Sequence, residues 1–332
     1  QTDVIISGGD FSINAGGGSN MTVSDTESAK GIKGNAGIAI NGGVFTIDSA
    51  DDCIHSNGDI TIMGGTFTLS APSGSGGGDQ SQGGQDGIHS DTNLQIDGGD
   101  ITITKSYEGL EALYIIINDG TIHVNSSDDG FNCAGGDGSG GWNPGGPGGG
   151  SAGDYLLDIN GGYIWMNANG DGLDSNGNID ISGGVILVNG PTSDGNGAID
   201  HGDGSASYIK ISGGLLVAAG SSGMAEAPGT TSTQNSVLVY LSASQQAEKL
   251  FVIKNSAGEE LVAFAPAKSY RSVVFSSPDF SNGQYSIYLG GSSSGNETDG
   301  LYEGGVYSPG TQYTTFSVSS VTTKVGQGGG HP

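Results

Sequence analysis

The chain has 332 residues, 66 of them glycine, and its 35 acidic residues outnumber its 9 Lys and Arg residues, giving a net charge of -26. So much negative charge argues against binding to nucleic acid or anionic lipid, because both need a basic face, and it favours cations. No apolar run is long enough to span a membrane, so we expect no membrane insertion. Because the sequence starts at Gln1 rather than Met, we expect a processed, secreted protein that is extracellular or held at the cell surface.

One short pattern, Ile-x-Gly-Gly-x-apolar-x-apolar, recurs along the chain as far as residue 218. Its eight copies lie at 6–13, 40–47, 62–69, 96–103, 117–124, 159–166, 181–188 and 211–218, and Asp119 replaces the first Gly in one of them. Self-similarity with alternating apolar residues is typical of stacked coils that cannot bury an apolar face alone. The pattern predicts an all-β fold, a triangular right-handed parallel β-helix (solenoid).

The pattern also predicts how the chain is divided. We place the parallel β-helix at 1–223, with Gly/Ser-rich loop insertions at 70–85 and 134–153. Beyond that point the repeat stops, and short strands separated by turn residues predict a C-terminal antiparallel β cap and tail at 224–332. The last coils are apolar on both faces, so we expect the cap to pack over them.

Side-chain alternation in a typical coil gives the predicted core. Ile54, Ile60 and Ile62 should point inward with Phe67 and Leu69, because successive side chains alternate across a strand. The two cysteines, Cys53 and Cys133, lie several coils apart, too far for a disulfide. We therefore predict two free thiols.

A second repeated motif, acid-Gly-apolar-polar, precedes most of the Gly-Gly strands. If the coils stack in register, its residues form two vertical rows, which we call the first and second ladders. The first ladder is Lys30, Asp52, Asp86, Glu108, Asp129 and Asp171. The second ladder is Lys33, His55, His89, Glu111, Asn132, Asp174 and Asp200. Carboxylates about 5 Å apart repel by roughly 1 kcal/mol in water and roughly 3–4 kcal/mol at a dielectric near 20, so such rows need raised pKa values, splayed side chains or bound cations.

Oxygen ligands in flexible, glycine-flanked positions suit calcium better than a transition metal. We predict calcium as the cofactor, with ligands drawn from Asp52, Asp86, Glu108, Glu111, Asp128, Asp129, Asn132, Asp171, Asp174 and Asp200. The alternative is that the Asp-Gly pairs only form turns with solvated carboxylates, but their stacking favours calcium. His55 and His89 are neighbours that could hold a transition metal or form a hydrogen-bonded or solvated pair.

Five residues are candidates for contact with a carbohydrate: Lys30, Lys33, Trp142, Tyr163 and Trp165. Lys30 and Lys33 form the basic end of the ladders, where they either meet uronate carboxylates or balance neighbouring acids. Tyr163 and Trp165 should both point outward, as a sugar-stacking pair would. The same outward slots of the next coils are apolar, which favours burial of this pair under the cap or a partner subunit instead.

Several motifs between about Ser24 and Gly291 carry a family resemblance. They are Ala29–Lys33, Tyr107–Glu111, Asp128–Asn132, Gly170–Asn176, Ser221–Ala225, Gln234–Val237 and Pro266–Tyr270. Together they resemble the calcium-binding, carbohydrate-binding parallel β-helix proteins displayed by cellulolytic bacteria, which are similar in fold to family 9 polysaccharide lyases. The resemblance implies bound calcium and affinity for cellulose and acidic plant-wall polysaccharides such as polygalacturonate.

Three hypotheses for function follow. The first is an extracellular, non-catalytic, calcium-dependent polysaccharide-binding protein. The second is a homo-oligomeric filament subunit, assembled head-to-tail through the N-terminal coil and the C-terminal segment 314–332, which could instead cap its own chain. The third is a calcium-dependent polysaccharide lyase. The lyase relatives use Asp-Asp-x-x-Asp and a lysine base, whereas Asp128-Asp129 here ends in Asn132 and the ladder lysines lie coils away, which argues against the third hypothesis.

Overall fold

The computed structural model describes residues 3–21, 23, 28–74, 85–134 and 155–327. All regular structure in this part of the chain is β-strand, which confirms the all-β prediction. None of the described residues belongs to a helix long and apolar enough to cross a membrane. The predicted insertions at 70–85 and 134–153 lie mostly outside the described residues, and Trp142 lies wholly outside them.

The strands of the repeat part, in chain order, are β1 (Val4–Ile6), β2 (Asp10–Ala15), β3 (Ile32–Gly34), β4 (Gly37–Ile40), β5 (Val44–Ser49), β6 (Ile54–Ser56), β7 (Asp59–Ile62), β8 (Thr66–Ser70), β9 (Ile88–Ile96), β10 (Asp100–Lys105), β11 (Leu110–Ile117), β12 (Thr121–Ser126), β13 (Phe131–Cys133), β14 (Leu156–Ile159), β15 (Tyr163–Ala168), β16 (Leu173–Ser175), β17 (Asn178–Ile181), β18 (Val185–Asn189), β19 (Ile199–His201), β20 (Ile209–Ile211) and β21 (Leu215–Gly220). The strands that follow are β22 (Ser236–Gln245), β23 (Phe251–Asn255), β24 (Glu260–Phe264), β25 (Tyr270–Ser276), β26 (Gly283–Ser293), β27 (Asn296–Thr298), β28 (Leu301–Glu303), β29 (Tyr307–Val318) and β30 (Thr322–Val325).

Successive coils place their strands in three parallel stacks. Stack 1 contains β3, β6, β13, β16 and β19; stack 2 contains β1, β4, β7, β14, β17 and β20; stack 3 contains β2, β5, β8, β10, β12, β15, β18 and β21. The longer strands β9 and β11 run through stacks 1 and 2 and join them into one sheet. Large parallel sheets are therefore present, as predicted, while the right-handed sense of the coil stays a prediction.

Each Gly-Gly pair turns the chain from stack 2 into stack 3. In the coil of β7 and β8, Gly65 has a φ of 120°, a region that L-residues with a side chain rarely adopt. A Cβ on that residue would also press against the Gly43 carbonyl oxygen of the preceding coil. The repeat therefore keeps glycine at this corner because both the backbone angle and the close stacking of coils require it.

The core lies between the stacks and consists of like residues piled on one another. Ile54, Ile60, Ile62 and Leu69 are fully buried, as predicted from alternation. The ring of Phe67 lies 4.6 Å from that of Phe45, which in turn lies 4.8 Å from that of Phe11. Burying one such side chain contributes roughly 1.5–3 kcal/mol, so the repeated apolar slots hold the coils together.

The C-terminal part packs against the outer face of stack 3. Strand β25 pairs antiparallel with β21 and with β22, and a second sheet runs in the order β27-β28-β24-β23-β26-β29. Leu187 and Val217, on the outer face of stack 3, are fully buried in a cluster with Val237 and Phe275. Packing of the C-terminal part over the last coils is thus confirmed, whereas the division at 223/224 stays a prediction.

The last strand is held by its own chain. Strand β30 pairs in parallel with β22, so the C-terminal part is not purely antiparallel as predicted. Strand β22 pairs with β25 along one edge, and β30 occupies its other edge. Within the described residues, the segment 314–327 pairs with strands of its own chain.

The two cysteines are free and buried, as predicted. Burial raises the pKa of both the Cys53 and the Cys133 thiol. Both thiols therefore stay protonated at neutral pH and behave as small apolar side chains of the core.

Candidate metal centre

The coils stack in the register that the ladders require. The second ladder forms through direct strand partners in stack 1: Lys33 with His55, His55 with His89, His89 with Glu111, Glu111 with Asn132, Asn132 with Asp174, and Asp174 with Asp200. In the first ladder, the backbone amide that follows each member but the last donates to the backbone carbonyl of the next member, as Gly109 does to Asp129 at 3.1 Å; the amide after Asp52 is that of Cys53. Both ladders are thus continuous in space, and they lie side by side at the entry to stack 1.

The glycine of the repeated motif makes this stacking possible. A Cβ built on Gly109 would collide with the Gly130 carbonyl oxygen, and one on Gly130 would collide with the Gly172 carbonyl oxygen. At these two positions the close stacking of coils therefore requires glycine, although Cys53 and Ala198 occupy the same slot in other coils. The acids that precede these glycines are consequently brought to the spacing of paired strands, just under 5 Å.

At the N-terminal end of the ladders, the acids are paired with cations of the protein. Lys30 Nζ lies 2.9 Å from Asp51 Oδ1 and 2.5 Å from Asp52 Oδ2, and His55 Nδ1 lies 2.8 Å from the same Asp52 oxygen. The other Asp52 oxygen accepts a hydrogen bond from the Asp86 amide at 2.9 Å. Burial alone would raise the pKa of Asp52, but the His55 hydrogen bond and the Lys30 charge outweigh it and lower that pKa.

The next coils centre on a charged histidine. His89 Nδ1 lies 2.9 Å from Asp86 Oδ2 and 2.9 Å from Glu111 Oε2, and its Nε2 lies 3.3 Å from Asp91 Oδ1. Burial opposes the charged ring, but these acids overcome it and raise the pKa of His89 well above its ordinary value. The His55 and His89 rings are 4.8 Å apart, and each hydrogen-bonds to an acid, which differs from the mutual or solvated pair considered above.

In the middle of the ladders, two buried oxygens have no partner. Asn132 Nδ2 donates to Glu108 Oε1 at 2.9 Å, but Glu108 Oε2 and Asn132 Oδ1 accept no hydrogen bond. Burial, followed by the charges of Glu111 and Asp86, raises the pKa of Glu108 well above its ordinary value. Two adjacent unpaired acceptors are what a bound cation would satisfy, because leaving each one buried and unpaired costs roughly 1–3 kcal/mol.

At the C-terminal end, the acids face one another without a basic partner. Asp129, Asp171 and Asp174 each offer an oxygen, and these oxygens lie within 4.8 Å of one another. No Lys or Arg of the described residues lies at ion-pairing distance from these three carboxylates. Backbone amides supply the hydrogen bonds instead: the Asp171 amide donates to Asp129 Oδ1 at 2.6 Å and the Gly197 amide donates to Asp171 Oδ1 at 2.5 Å.

The pKa values of this group, which we call the triad (Asp129, Asp171 and Asp174), show the cost of the arrangement. Burial raises the pKa of Asp171 to about 7, with the Asp200 charge adding to it. Burial and then the charges of the other two triad members raise the pKa of Asp129 well above its ordinary value, and burial with the Asp171 and Asp200 charges does the same for Asp174. Two things can relieve the repulsion among these carboxylates: protonation, which the raised pKa values reflect, or a bound divalent cation.

Asp128 and Asp200 flank the triad. Asp128 is half-buried beside Asp129, and its charge contributes to the raised pKa of that residue. Burial raises the pKa of Asp200, one of whose oxygens accepts a hydrogen bond from the His201 amide at 3.1 Å. Nine of the ten predicted metal ligands thus belong to the two ladders, and Asp128 lies next to them; Asp52 and Asp86 already have cationic partners, whereas the triad has none among the described residues.

The carbohydrate candidates occupy different environments. Lys30 pairs with acids, as in the charge-balance alternative, while Lys33 is exposed. The Tyr163 hydroxyl donates to Asp299 Oδ2 at 2.8 Å. Tyr163 and Trp165 are both half-buried against the apolar cluster of the C-terminal part, as in the cap alternative. Their rings are therefore partly covered.

Sequence reasoning missed three residues at or near the ladders. Asp91 contacts His89 from strand β9, at the point where its pairing register with β11 shifts, and no repeat marks its position. Glu226 Oε2 lies 3.1 Å from His201 Nδ1, and burial raises the pKa of Glu226 to about 7. Lys268 Nζ donates to the Ala168 carbonyl oxygen, and burial lowers the pKa of Lys268 to about 8. The only signal for Lys268 was its place in the Pro266–Tyr270 motif.

Comparison with known families gives one match. A family model described as "Carbohydrate-binding domain-containing protein" matches residues 1–80 and 73–130. Neither the curated proteins nor the solved structures contain a match to this chain. The matched part spans strands β1–β12 and the ladder residues from Lys30 to Asp129.

Proposed function

We propose that this protein is an extracellular, non-catalytic, calcium-dependent polysaccharide-binding protein. The observation that carries the proposal is the triad, three facing carboxylates with no basic partner among the described residues. The match of the repeat part to a carbohydrate-binding family supplies the ligand class. The two observations concern one continuous surface, because the ladders run from the matched coils to the triad.

Calcium fits the donors of this surface. Carboxylate and amide oxygens from Asp and Asn are hard ligands, and calcium accepts six to eight of them in flexible geometry. The unpaired oxygens of Glu108 and Asn132 offer a second place for an ion one coil away from the triad. When bound, calcium would neutralise the carboxylates and keep coordination positions open for oxygens of a ligand.

The charge of the protein explains why binding would depend on the ion. With a net charge of -26, the bare protein repels an acidic polysaccharide such as polygalacturonate. A calcium ion on the triad reverses the local sign and lets glycan carboxylates or hydroxyls complete its coordination. Polygalacturonate-like polymers and cellulose are the two ligands to compare.

Co-sedimentation tests the proposal. The protein is mixed with insoluble polygalacturonate gel or cellulose, in calcium chloride or in EDTA, and a sample without polysaccharide is spun in parallel. We expect pelleting only with polysaccharide and only in calcium. Equal pelleting in EDTA would contradict the calcium dependence, and the appearance of unsaturated uronate absorbance would contradict the non-catalytic role.

Self-assembly into a filament remains the second candidate, and one observation favours it. Two apolar side chains of the first two coils are exposed, with Ile5 at 66% and Val44 at 49%. Pelleting of the protein alone in the same assay would favour assembly over glycan binding.

A further inference from the structure

Two histidines of neighbouring coils face the same carboxylate oxygen. Asp91 Oδ1 lies 3.3 Å from His89 Nε2 and 3.8 Å from His55 Nε2, and the centroids of the two rings are 4.8 Å apart. His89 is only 7% exposed, and its Nε2 is buried without a hydrogen-bond partner among the described residues. The contact with Asp91 is therefore not a well-formed hydrogen bond, and a buried ring nitrogen is left unsatisfied beside an acid.

The other nitrogen of each ring is already engaged. His55 Nδ1 lies 2.8 Å from Asp52 Oδ2, and His89 Nδ1 lies 2.9 Å from Asp86 Oδ2. An ionised carboxylate only accepts hydrogen bonds, so each Nδ1 carries a proton. Metal-binding histidines are held in the same way, with one ring nitrogen donating to a carboxylate and the other directed at the metal. Asp52 and Asp86 therefore act as positioning residues that direct both Nε2 atoms toward Asp91.

Asp91 is oriented by a hydrogen bond of its own. Asn57 Nδ2 donates to Asp91 Oδ2 at 2.8 Å, which leaves Oδ1 for the two rings. Asp91 is half-buried, whereas both histidines are buried. An ion would therefore enter from the Asp91 side, where a water molecule has room to complete its coordination.

Two imidazole nitrogens and one carboxylate oxygen suit zinc better than calcium. Calcium takes six to eight oxygen ligands, whereas zinc takes imidazole and carboxylate ligands in tetrahedral sites. Zinc–ligand bonds of about 2.0–2.2 Å place tetrahedral ligand atoms about 3.4 Å apart, and the two distances from Asp91 Oδ1 lie on either side of that value. Charge also favours a cation, because the acids around the rings are Asp52, Asp86, Asp91 and Glu111, and Lys30 is the one Lys or Arg of the described residues that pairs with any of them.

We propose that His55, His89 and Asp91 form a zinc site that is separate from the triad. Zinc would take the place of a proton on His89 Nε2, while both Nδ1 protons stay with their carboxylates. Because the two histidines belong to successive coils, the ion would clamp those coils together. The inference is independent of the proposed function, since it needs neither calcium nor a polysaccharide.

Titration of zinc into metal-stripped protein in saturating calcium chloride tests this site, because calcium then fills the oxygen-only sites. The wild type should bind zinc saturably, and His55→Gln and His89→Gln should each weaken zinc binding by at least about tenfold. The matched control is His123→Gln, since His123 contacts Asp299 on the face of stack 3 and should not affect zinc. Asp174→Asn should likewise leave zinc affinity unchanged.

A second variant covers the case in which loss of a buried histidine disturbs the fold. Asp91→Asn keeps the size of a half-buried side chain and should weaken zinc binding by about tenfold or more. Cobalt(II), which absorbs visible light strongly in four-coordinate sites, should give that absorption with the wild type and lose it with Asp91→Asn. No saturable zinc binding by the wild type in calcium, or wild-type zinc affinity in both Asp91→Asn and His89→Gln, would overturn the site.

Discussion

At the scale of single residues, equivalent ladder positions differ in whether their carboxylates have a basic partner in the protein. Near the N-terminal end, the carboxylate of Asp52 forms an ion pair with Lys30 and a hydrogen bond with His55. Toward the C-terminal end, Asp171 and Asp174 occupy the same two slots with no basic partner among the described residues. The repeat thus supplies one geometry, and side-chain identity decides whether a protein cation or an external ion neutralises it.

Removing one triad charge should therefore have opposite effects with and without calcium. Asp174→Asn should raise the free energy of unfolding in EDTA at pH 8 by about 1–2 kcal/mol, because a neutral amide relieves carboxylate repulsion. The same change should erase most of the stabilisation that calcium gives the wild type. Thermal unfolding in EDTA and in calcium measures both effects. A lower free energy of unfolding for Asp174→Asn in EDTA would show that the Asp174 carboxylate is not repelled by its neighbours.

The raised pKa values predict how stability depends on pH. The pKa of Asp171 is about 7 in the folded protein and about 4 when unfolded, so its contribution is complete below pH 4 and is lost as pH rises through 7. In EDTA, the melting temperature should fall between pH 4 and pH 8, by an amount equivalent to about 2 kcal/mol after solvent screening. Saturating calcium should remove this fall. A melting temperature that does not change with pH in EDTA would contradict this prediction. So would a pH dependence that is the same in Asp171→Asn as in the wild type.

The paired end of the ladders predicts a different response. Lys30→Met leaves the buried Asp52 carboxylate without its lysine, and should destabilise the protein by about 3 kcal/mol regardless of calcium. Lys33→Met is the control, because this lysine is exposed, and should change stability by less than about 0.5 kcal/mol. Urea unfolding compares the two variants. Similar values for both would mean that the Lys30–Asp52 pair is not structurally important.

At the scale of strands and turns, glycine sets how closely the coils stack. Gly130→Ala would push a methyl group against the Gly172 carbonyl oxygen and the Met166 sulfur, and should cost about 1–3 kcal/mol. Gly64→Ala is the control, because the nearest atom to its added Cβ is 3.6 Å away. Chemical denaturation of both variants measures the difference. Equal stabilities would contradict the role assigned to the motif glycine.

Strand-level features were largely predictable from the sequence, because each repeat carries its own evidence. The Gly-Gly copies fixed the inward slots, so burial of Ile54 and Phe67 and the partnership of His55 with His89 followed from spacing. Lys268 could not be placed in this way, since its contact with Ala168 joins segments 100 residues apart. Asp91 lies outside both repeated motifs, so the alternation of side chains alone did not indicate its contact with His89.

At the scale of the whole molecule, the ladders, the C-terminal part and the net charge act together. The C-terminal part covers the outer face of stack 3, while the ladders lie at the entry to stack 1. The remaining surface is strongly acidic, so a bound cation would be the feature that attracts an anionic polymer. Binding of a polysaccharide would therefore depend on calcium binding at the triad.

Calorimetric titration of calcium into EDTA-stripped protein tests that claim most directly. The wild type and Asp119→Asn, a change in an exposed turn carboxylate, should both bind calcium saturably with the same affinity. Asp174→Asn should bind at least about tenfold more weakly, because a charged ligand has been replaced by a neutral one. Equal affinity in Asp174→Asn, or no saturable binding by the wild type, would contradict a calcium site at the triad.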